Sequence, residues 1–156
     1  MDYQIRAATA EDIEPMLSLF PRLADFDLPP ERTAAHLWRD DAELLRRWGS
    51  GQAPNCLVWV AVDPDNVVLG VALVQLRPEL LSHEPSAHLE VLVVDRPAEG
   101  NGIGQALIQQ AEKSVRDHGG LSMTLHVFAA NARARQVYER LGYTGELIRY
   151  IKYLDT

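Results

Sequence analysis

The sequence predicts a single mixed α/β domain over residues 1–156, and three observations carry that reading. Residues 57–62, 67–76 and 88–95 are runs of apolar, β-branched character, as strands are. Other stretches repeat their apolar residues at helical spacing. Turn and capping residues separate the two kinds, with no repeat, low-complexity tract or linker to divide the chain. The elements follow in the order β-αα-βββ-α-β-α-β.

Gln4, Ile5, Arg6 and Ala7 open the chain as a short strand. Thr9-Ala10-Glu11-Asp12 has the form of a capping box, a hydroxyl with a carboxylate three residues later, so a helix is expected from about Ala10. Ile13, Met16, Leu17 and Phe20 keep its period, while Pro15 lacks an N–H and must kink or shorten it. After Pro29-Pro30, residues 31–48 form a second helical region with Leu37, Trp38, Leu44, Leu45 and Trp48 in period. Asp40-Asp41 can break it in two, and Gly49-Ser50-Gly51 ends it. Asp63-Pro64-Asp65-Asn66 has turn chemistry and joins the first two strong strands as an antiparallel hairpin. The third strand, 88–95, runs into Gly100-Asn101-Gly102-Ile103-Gly104. Ile103, Ala106, Leu107, Ala111 and Val115 then mark a helix that Gly119-Gly120 should terminate. Residues 121–128 alternate as a strand, 132–141 are a helix closed by Gly142, and 143–153 supply one or two final strands.

Composition excludes several classes. Fifteen Lys and Arg stand against 22 Asp and Glu, a net charge of −7, whereas coating nucleic acid or an anionic membrane needs surplus cations. A lone Cys56 in an apolar run can make neither an internal disulfide nor a cysteine zinc cluster, and reads as a buried thiol in a reducing compartment. His36, His83, His118 and His126 show no metal-ligand spacing, so no metal is expected. Met1-Asp2-Tyr3-Gln4 begins no secretory segment, and no apolar run approaches the roughly 20 residues that cross a bilayer. A cytoplasmic location is the expectation.

The strand, glycine turn and helix around residues 89–105 form the most informative local feature. Glycines let a backbone approach a ligand closely, and the free N–H groups of a helix N-terminus favour an anion such as phosphate. Two nucleotide motifs fail here on residues: Gln105-Ala106 stands where a Walker loop needs Lys-Ser/Thr, and Leu107 stands where the dinucleotide pattern needs Gly or Ala.

Downstream lies Asn131-Ala132-Arg133-Ala134-Arg135-Gln136-Val137-Tyr138-Glu139-Arg140-Leu141-Gly142-Tyr143. With Val93-Val94-Asp95 and the glycine turn about thirty residues earlier, it resembles the GNAT superfamily of acetyl-CoA-dependent N-acetyltransferases. The resemblance runs from Thr9 to the last strands. It implies a single-domain GNAT fold: a mixed, mostly antiparallel sheet of six to seven strands, splayed between strands four and five, with about four flanking helices. It implies acetyl-CoA as cosubstrate, held by the backbone of Leu92, Val93 and Val94, by the turn from Glu99 through Gly100, Asn101, Gly102, Ile103 and Gly104 to Gln105, and by Asn131 and Tyr138. An Asn at position 131 is also an ordinary helix cap. Glu99 departs from the family, whose loop opens with Arg or Gln. Since an anion there is unhelpful beside a diphosphate, Glu99 is expected to turn outward to solvent and Arg96 to be exposed.

Acetyl transfer to an amine needs a deprotonated amine, a donor for the developing oxyanion and a proton for the departing thiolate. The resemblance makes the Val94 N–H the oxyanion donor and Tyr138 the acid. Strand alternation puts His88, Glu90, Leu92 and Val94 on one face, so a carboxylate and an imidazole point the same way. Either Glu90 or His88 can serve as base, and imidazole has the better unperturbed pKa near neutrality. Asp25, Asp27, Glu31, Asp40, Asp41 and Glu43 crowd the helical region, with His83-Glu84 before the fourth strand, and an acidic rim would draw in a cationic amine. The leading acceptor is therefore a small cationic molecule, with a protein N-terminus or lysine second and a CoA-binding sensor without turnover as the other class. Arg133, Arg135 and Arg140 form either a solvated face or a contact for the CoA 3′-phosphate, and Trp38, Trp48 and Trp59 are core or cleft wall. No nucleic-acid or membrane partner is expected, and the resemblance allows a homodimer.

Overall fold

Five strands form one sheet in sequence order: β1 (Gln4–Ala7), β2 (Cys56–Val62), β3 (Val68–Pro78), β4 (Pro85–Val94) and β5 (Met123–Leu125). The computed structural model describes residues 1–155, and its contacts divide the chain into two units, Met1–His126 and Val127–Thr156. Three antiparallel pairings join β1 to β4, and β4 pairs with β5 in parallel. The hairpin between β2 and β3 forms where the turn chemistry places it. Asp63 accepts from the N–H groups of Asp65 and Val67, each at 2.9 Å, and Asn66 takes a φ of 65°. A parallel pair needs a crossover, which α3 (Ile103–Asp117) supplies between β4 and β5.

The first helical region is shorter than its pattern suggests. Asp12 closes the capping box by accepting from the Thr9 N–H at 2.8 Å, but the chain makes a 3-10 turn at Ala10–Asp12 and only the brief α1 (Ile13–Leu17) around Pro15. Arg6 donates to both carboxylate oxygens of buried Asp12, at 2.7 and 2.9 Å, and so ties β1 to this turn. A further 3-10 turn follows at Phe20–Ala24. The second region breaks at Trp38 (φ −138°), between a 3-10 turn at Ala34–Leu37 and α2 (Arg39–Gly49), not at Asp40-Asp41. Those two carboxylates sit in the first turn of α2.

Two layers of side chains cover the sheet. On the first face, Met16 and Phe20 with Ala42, Leu44 and Leu45 of α2 pack on Cys56, Val58 and Val60 of β2, Val71 and Leu73 of β3, and Val91 and Val93 of β4. Trp38 and Trp48 lie partly buried against this core. On the second face lies α3, whose Ile103 and Leu107 approach Gly70 of β3 so closely that an added Cβ would stand 3.0 Å from Leu107 Cδ1. Trp59 faces that side too, its Nε1–H donating to Ser114 Oγ at 3.2 Å.

A bulge in β4 decides which residues share a face. Leu89 pairs with Val74 and Val91 pairs with Leu73, so Glu90 is an extra residue without a partner in β3. Ala87 and Leu89, upstream of it, lie outside the first-face core, whereas Val91 and Val93, of the same parity, lie within it. The extra residue has turned the strand over. His88 and Glu90 accordingly share the first face, as alternation suggests, but Leu92 and Val94 do not: Val94 Cγ2 lies near Gly104 on the α3 side.

The sheet has five strands in the described residues and not the six to seven expected. Residues 144–155 form no strand. Their unit contains one helix, α4 (Ala132–Arg140). Asn131 caps α4 by accepting from the Ala134 N–H at 3.3 Å, and Gly142 ends it at φ +95°. Among the described residues no helix is long and apolar enough to cross a membrane.

Candidate active site

The half of β4 beyond the bulge has an open edge. Pairing with β5 covers Ala87, His88 and Leu89 and then stops. On the other side Asp95 donates its N–H to Leu69 O at 2.7 Å, so by the alternation of an antiparallel ladder the N–H groups of Leu92 and Val94 point away from β3. They face the gap where β5 no longer follows.

The first face beside this edge carries the titratable groups. His88 is buried, its Nδ1 within 2.7 Å of Thr124 Oγ1 and its ring 4.6 Å from that of His126. Burial, aided by the charges of Arg77 and His126, pushes its pKa down to about 4. The imidazole is therefore neutral at physiological pH and a weak base, which reverses the advantage its unperturbed value suggests. Glu90 moves the other way: burial raises it, against the opposing charge of Arg77, whose Nη1 stands 3.8 Å from Glu90 Oε1. Asp41 of α2 is pushed up to about 7 by burial and by the charges of Glu90 and Asp40. Cys56 is raised by burial and again by Glu90, which keeps it a thiol.

Beyond the open edge the chain makes a 3-10 turn at Arg96–Ala98 and enters the glycine turn. Gly100 and Gly102 take φ values of +80° and +78°, a region that favours glycine, and nothing stands within 4 Å of a Cβ built at Gly100. Gly102 is the N-cap of α3 and offers no side chain to the first-turn donors, so the N–H groups of Ile103, Gly104 and Gln105 have no acceptor inside the helix. Asn101 Nδ2 donates to Ala98 O and Glu99 O, at 2.9 and 3.1 Å, and holds the turn in shape. An uncapped helix start behind an open, left-handed turn is suited to an anion.

Glu99 does not turn outward. Arg22, from the 3-10 turn after α1, donates from Nη2 to Glu99 Oε1 at 2.5 Å and from Nη1 to Val94 O. Asp25 Oδ2 lies 3.5 Å from Arg22 Nε and 2.5 Å from Arg96 Nη2. Arg96 is exposed as expected, though ion-paired.

In the second unit, Asn131 stands at the start of α4 and Tyr138 packs edge-on against Tyr143, ring centroids 6.0 Å apart. Burial raises the Tyr138 phenol, which keeps it protonated. Among the described residues no group of three or more His, Cys, Asp or Glu side chains could hold a metal ion. Arg22 and Arg77 join the site only through the fold, as does Asp41, which in the sequence is one of six acidic residues of the helical region. The alternation of β3 could have put Arg77 beside β4, but nothing local marks Arg22.

Residues 18–143 match the Acetyltransferase (GNAT) family, and the chain belongs to it. Mycothiol acetyltransferases of Arthrobacter sp. (strain FB24) and Beutenbergia cavernae are 33% and 34% identical over 85 and 102 residues, or 54% and 65% of this chain. The matches span 26% and 33% of those relatives' own length. A Pyrococcus furiosus chain described as an acetyl transferase superposes with a TM-score of 0.80 at 22% identity, covering 98% of this chain and 100% of its own, which shows the shared fold.

Proposed function

We propose that this chain moves the acetyl group of acetyl-CoA directly to a primary amine, and that the amine belongs to a small cationic molecule. The observation that carries the reading is the open edge of β4, with Glu90 at one end and the glycine turn at the other. When bound, acetyl-CoA supplies an activated thioester carbonyl. The free donors of Ile103, Gly104 and Gln105 and the backbone of Gly100 to Gly102 would hold its diphosphate. The outward N–H groups of Leu92 and Val94 would line its arm as a neighbouring strand does, and the Val94 N–H is the donor for a carbonyl oxygen gaining charge. Asn131 is a further polar contact for the cofactor, carried over from the family resemblance.

Glu90 takes the proton of the incoming ammonium. Its raised pKa brings a carboxylate nearer to the operating range of a base, whereas neutral, weakly basic His88 orients through Thr124. Tyr138, protonated and half-buried, gives the proton that the leaving thiolate needs. The charges on the first face support a cationic acceptor: burial holds Asp41 near 7, Glu90 and Asp40 add to that shift, and an ammonium would relieve their part of it. The mycothiol acetyltransferases are named for a small molecule, which supports a small acceptor.

Thiol release from acetyl-CoA, measured with a panel of polyamines, aminoglycosides, amino sugars and peptides, tests the reading. Small amines should be turned over, and Glu90→Gln should lower kcat by about 10²-fold or more. Turnover confined to peptides would favour a protein N-terminus or lysine, and tight CoA binding with no turnover on any amine would favour a sensor. Tyr138→Phe should lose turnover with little change in acetyl-CoA affinity.

A further inference from the structure

The turn that suits a diphosphate begins with a carboxylate, and one arginine from elsewhere in the chain is bonded to it. Arg22 and Glu99 are 77 positions apart, with their side chains only 21% and 29% exposed, so solvent screens the pair weakly. The arginine is itself fixed. Nη1 donates to Val94 O at the open edge of β4, Nη2 donates to Glu99, and Nε is buried without a hydrogen-bond acceptor, with Asp25 Oδ2 3.5 Å away. Asp25 also binds Arg96, on the near side of the turn. Two cations and two carboxylates thus alternate along the mouth of the glycine turn and sum to zero, in a chain whose net charge is −7.

We propose that Arg22 is a positioning residue for acetyl-CoA binding: by holding Glu99 in an ion pair, it removes the negative charge that would otherwise repel the diphosphate from the backbone donors of α3. The inference rests on the proposed acetyl-CoA site and adds to it a residue outside the turn. Arg22 comes from the helical region after α1, so the cofactor turn and that region are joined by one guanidinium. Removing the arginine takes away the cation bonded to the carboxylate and leaves Arg96 acting on it without a bond, whereas removing both the Arg22 and Glu99 charges leaves the same backbone donors with no carboxylate beside them.

Calorimetric titration with acetyl-CoA at low ionic strength, on wild type, Arg22→Gln, Glu99→Gln and the double variant, measures the coupling. Arg22→Gln should weaken binding about tenfold, Glu99→Gln should bind at least as tightly as wild type, and the double variant should return to within about threefold of it. Arg22→Lys, which keeps the charge, should also stay within about threefold, and circular dichroism of each variant confirms that it is folded. If Arg22→Gln costs the same in both Glu99 backgrounds, or nothing in either, neutralisation of Glu99 is overturned. Wild type that binds acetyl-CoA without this coupling overturns the inference alone; wild type that does not bind acetyl-CoA overturns the functional reading with it.

Discussion

His88, Glu90 and Asp41 show how burial reassigns chemistry that residue type alone suggests. The imidazole, best matched to neutral pH in water, is driven down to about 4, while two carboxylates move up towards the working range. These shifts have opposite consequences for stability. His88 stays neutral when folded but is protonated in the unfolded chain below its ordinary pKa of 6.5. Its contribution is therefore present above about 6.5 and is lost as pH falls towards 4. Asp41 binds a proton in the folded state up to about 7 but loses it near 3.8 when unfolded, so stability declines as pH rises between those values. The two slopes oppose each other over the same interval. Thermal melts from pH 4 to 8 should show His88→Asn losing the acid limb and Asp41→Asn gaining relative stability above pH 7, by about 2–4 °C for each kcal/mol in a chain of this size. Parallel profiles for wild type and both variants would contradict the burial of these groups.

At the scale of elements, the glycine turn and the β4 bulge do different work. Gly102 carries a left-handed φ at the N-cap of α3, so Gly102→Ala should cost about 1–2 kcal/mol in urea unfolding. Gly104 lies inside the helix at ordinary φ, and an added Cβ would meet Val94 Cγ2 at a comfortable 3.7 Å. Gly104→Ala should therefore stabilise the fold by about 0.5–1 kcal/mol, yet weaken acetyl-CoA binding by crowding the turn's donors. A Gly104→Ala protein that binds acetyl-CoA as wild type does would place the diphosphate elsewhere. The turn was legible in the sequence because three glycines fall within five residues, between a strand and a helix. The bulge was not, since Glu90 looks like any other residue of an alternating strand until β3 is aligned beside it.

For the whole molecule, the charge of −7 opposes a CoA polyanion and favours a cationic acceptor. In the proposed site that opposition would be met locally, by backbone donors and an ion-paired Glu99, and not by any surplus of cations. Raising ionic strength from 0.01 to 0.15 M shortens the screening length from about 30 to about 8 Å. Over that range kcat/KM for a cationic amine should fall, while acetyl-CoA affinity should hold or improve. An amine kcat/KM that rises with salt would remove the acidic surface from acceptor capture.

Local rules in the sequence were enough for the order of elements as far as α4, the β2–β3 hairpin, the glycine turn with its helix, the Asn131 cap and the family. Each of these depends on residues within a few positions of one another, whose dihedral and hydrogen-bonding preferences act before the chain is folded. The face of Val94, the break at Trp38, the weakness of His88 as a base, the partnership of Asp41 with Glu90 and the pairing of Glu99 with Arg22 were decided only by tertiary structure. Strand register, burial and ion pairing are relations between distant segments. Alternation cannot reveal a bulge, because a bulge exists only against a partner strand, and a reference pKa cannot reveal a base, because its value is set by what surrounds the group.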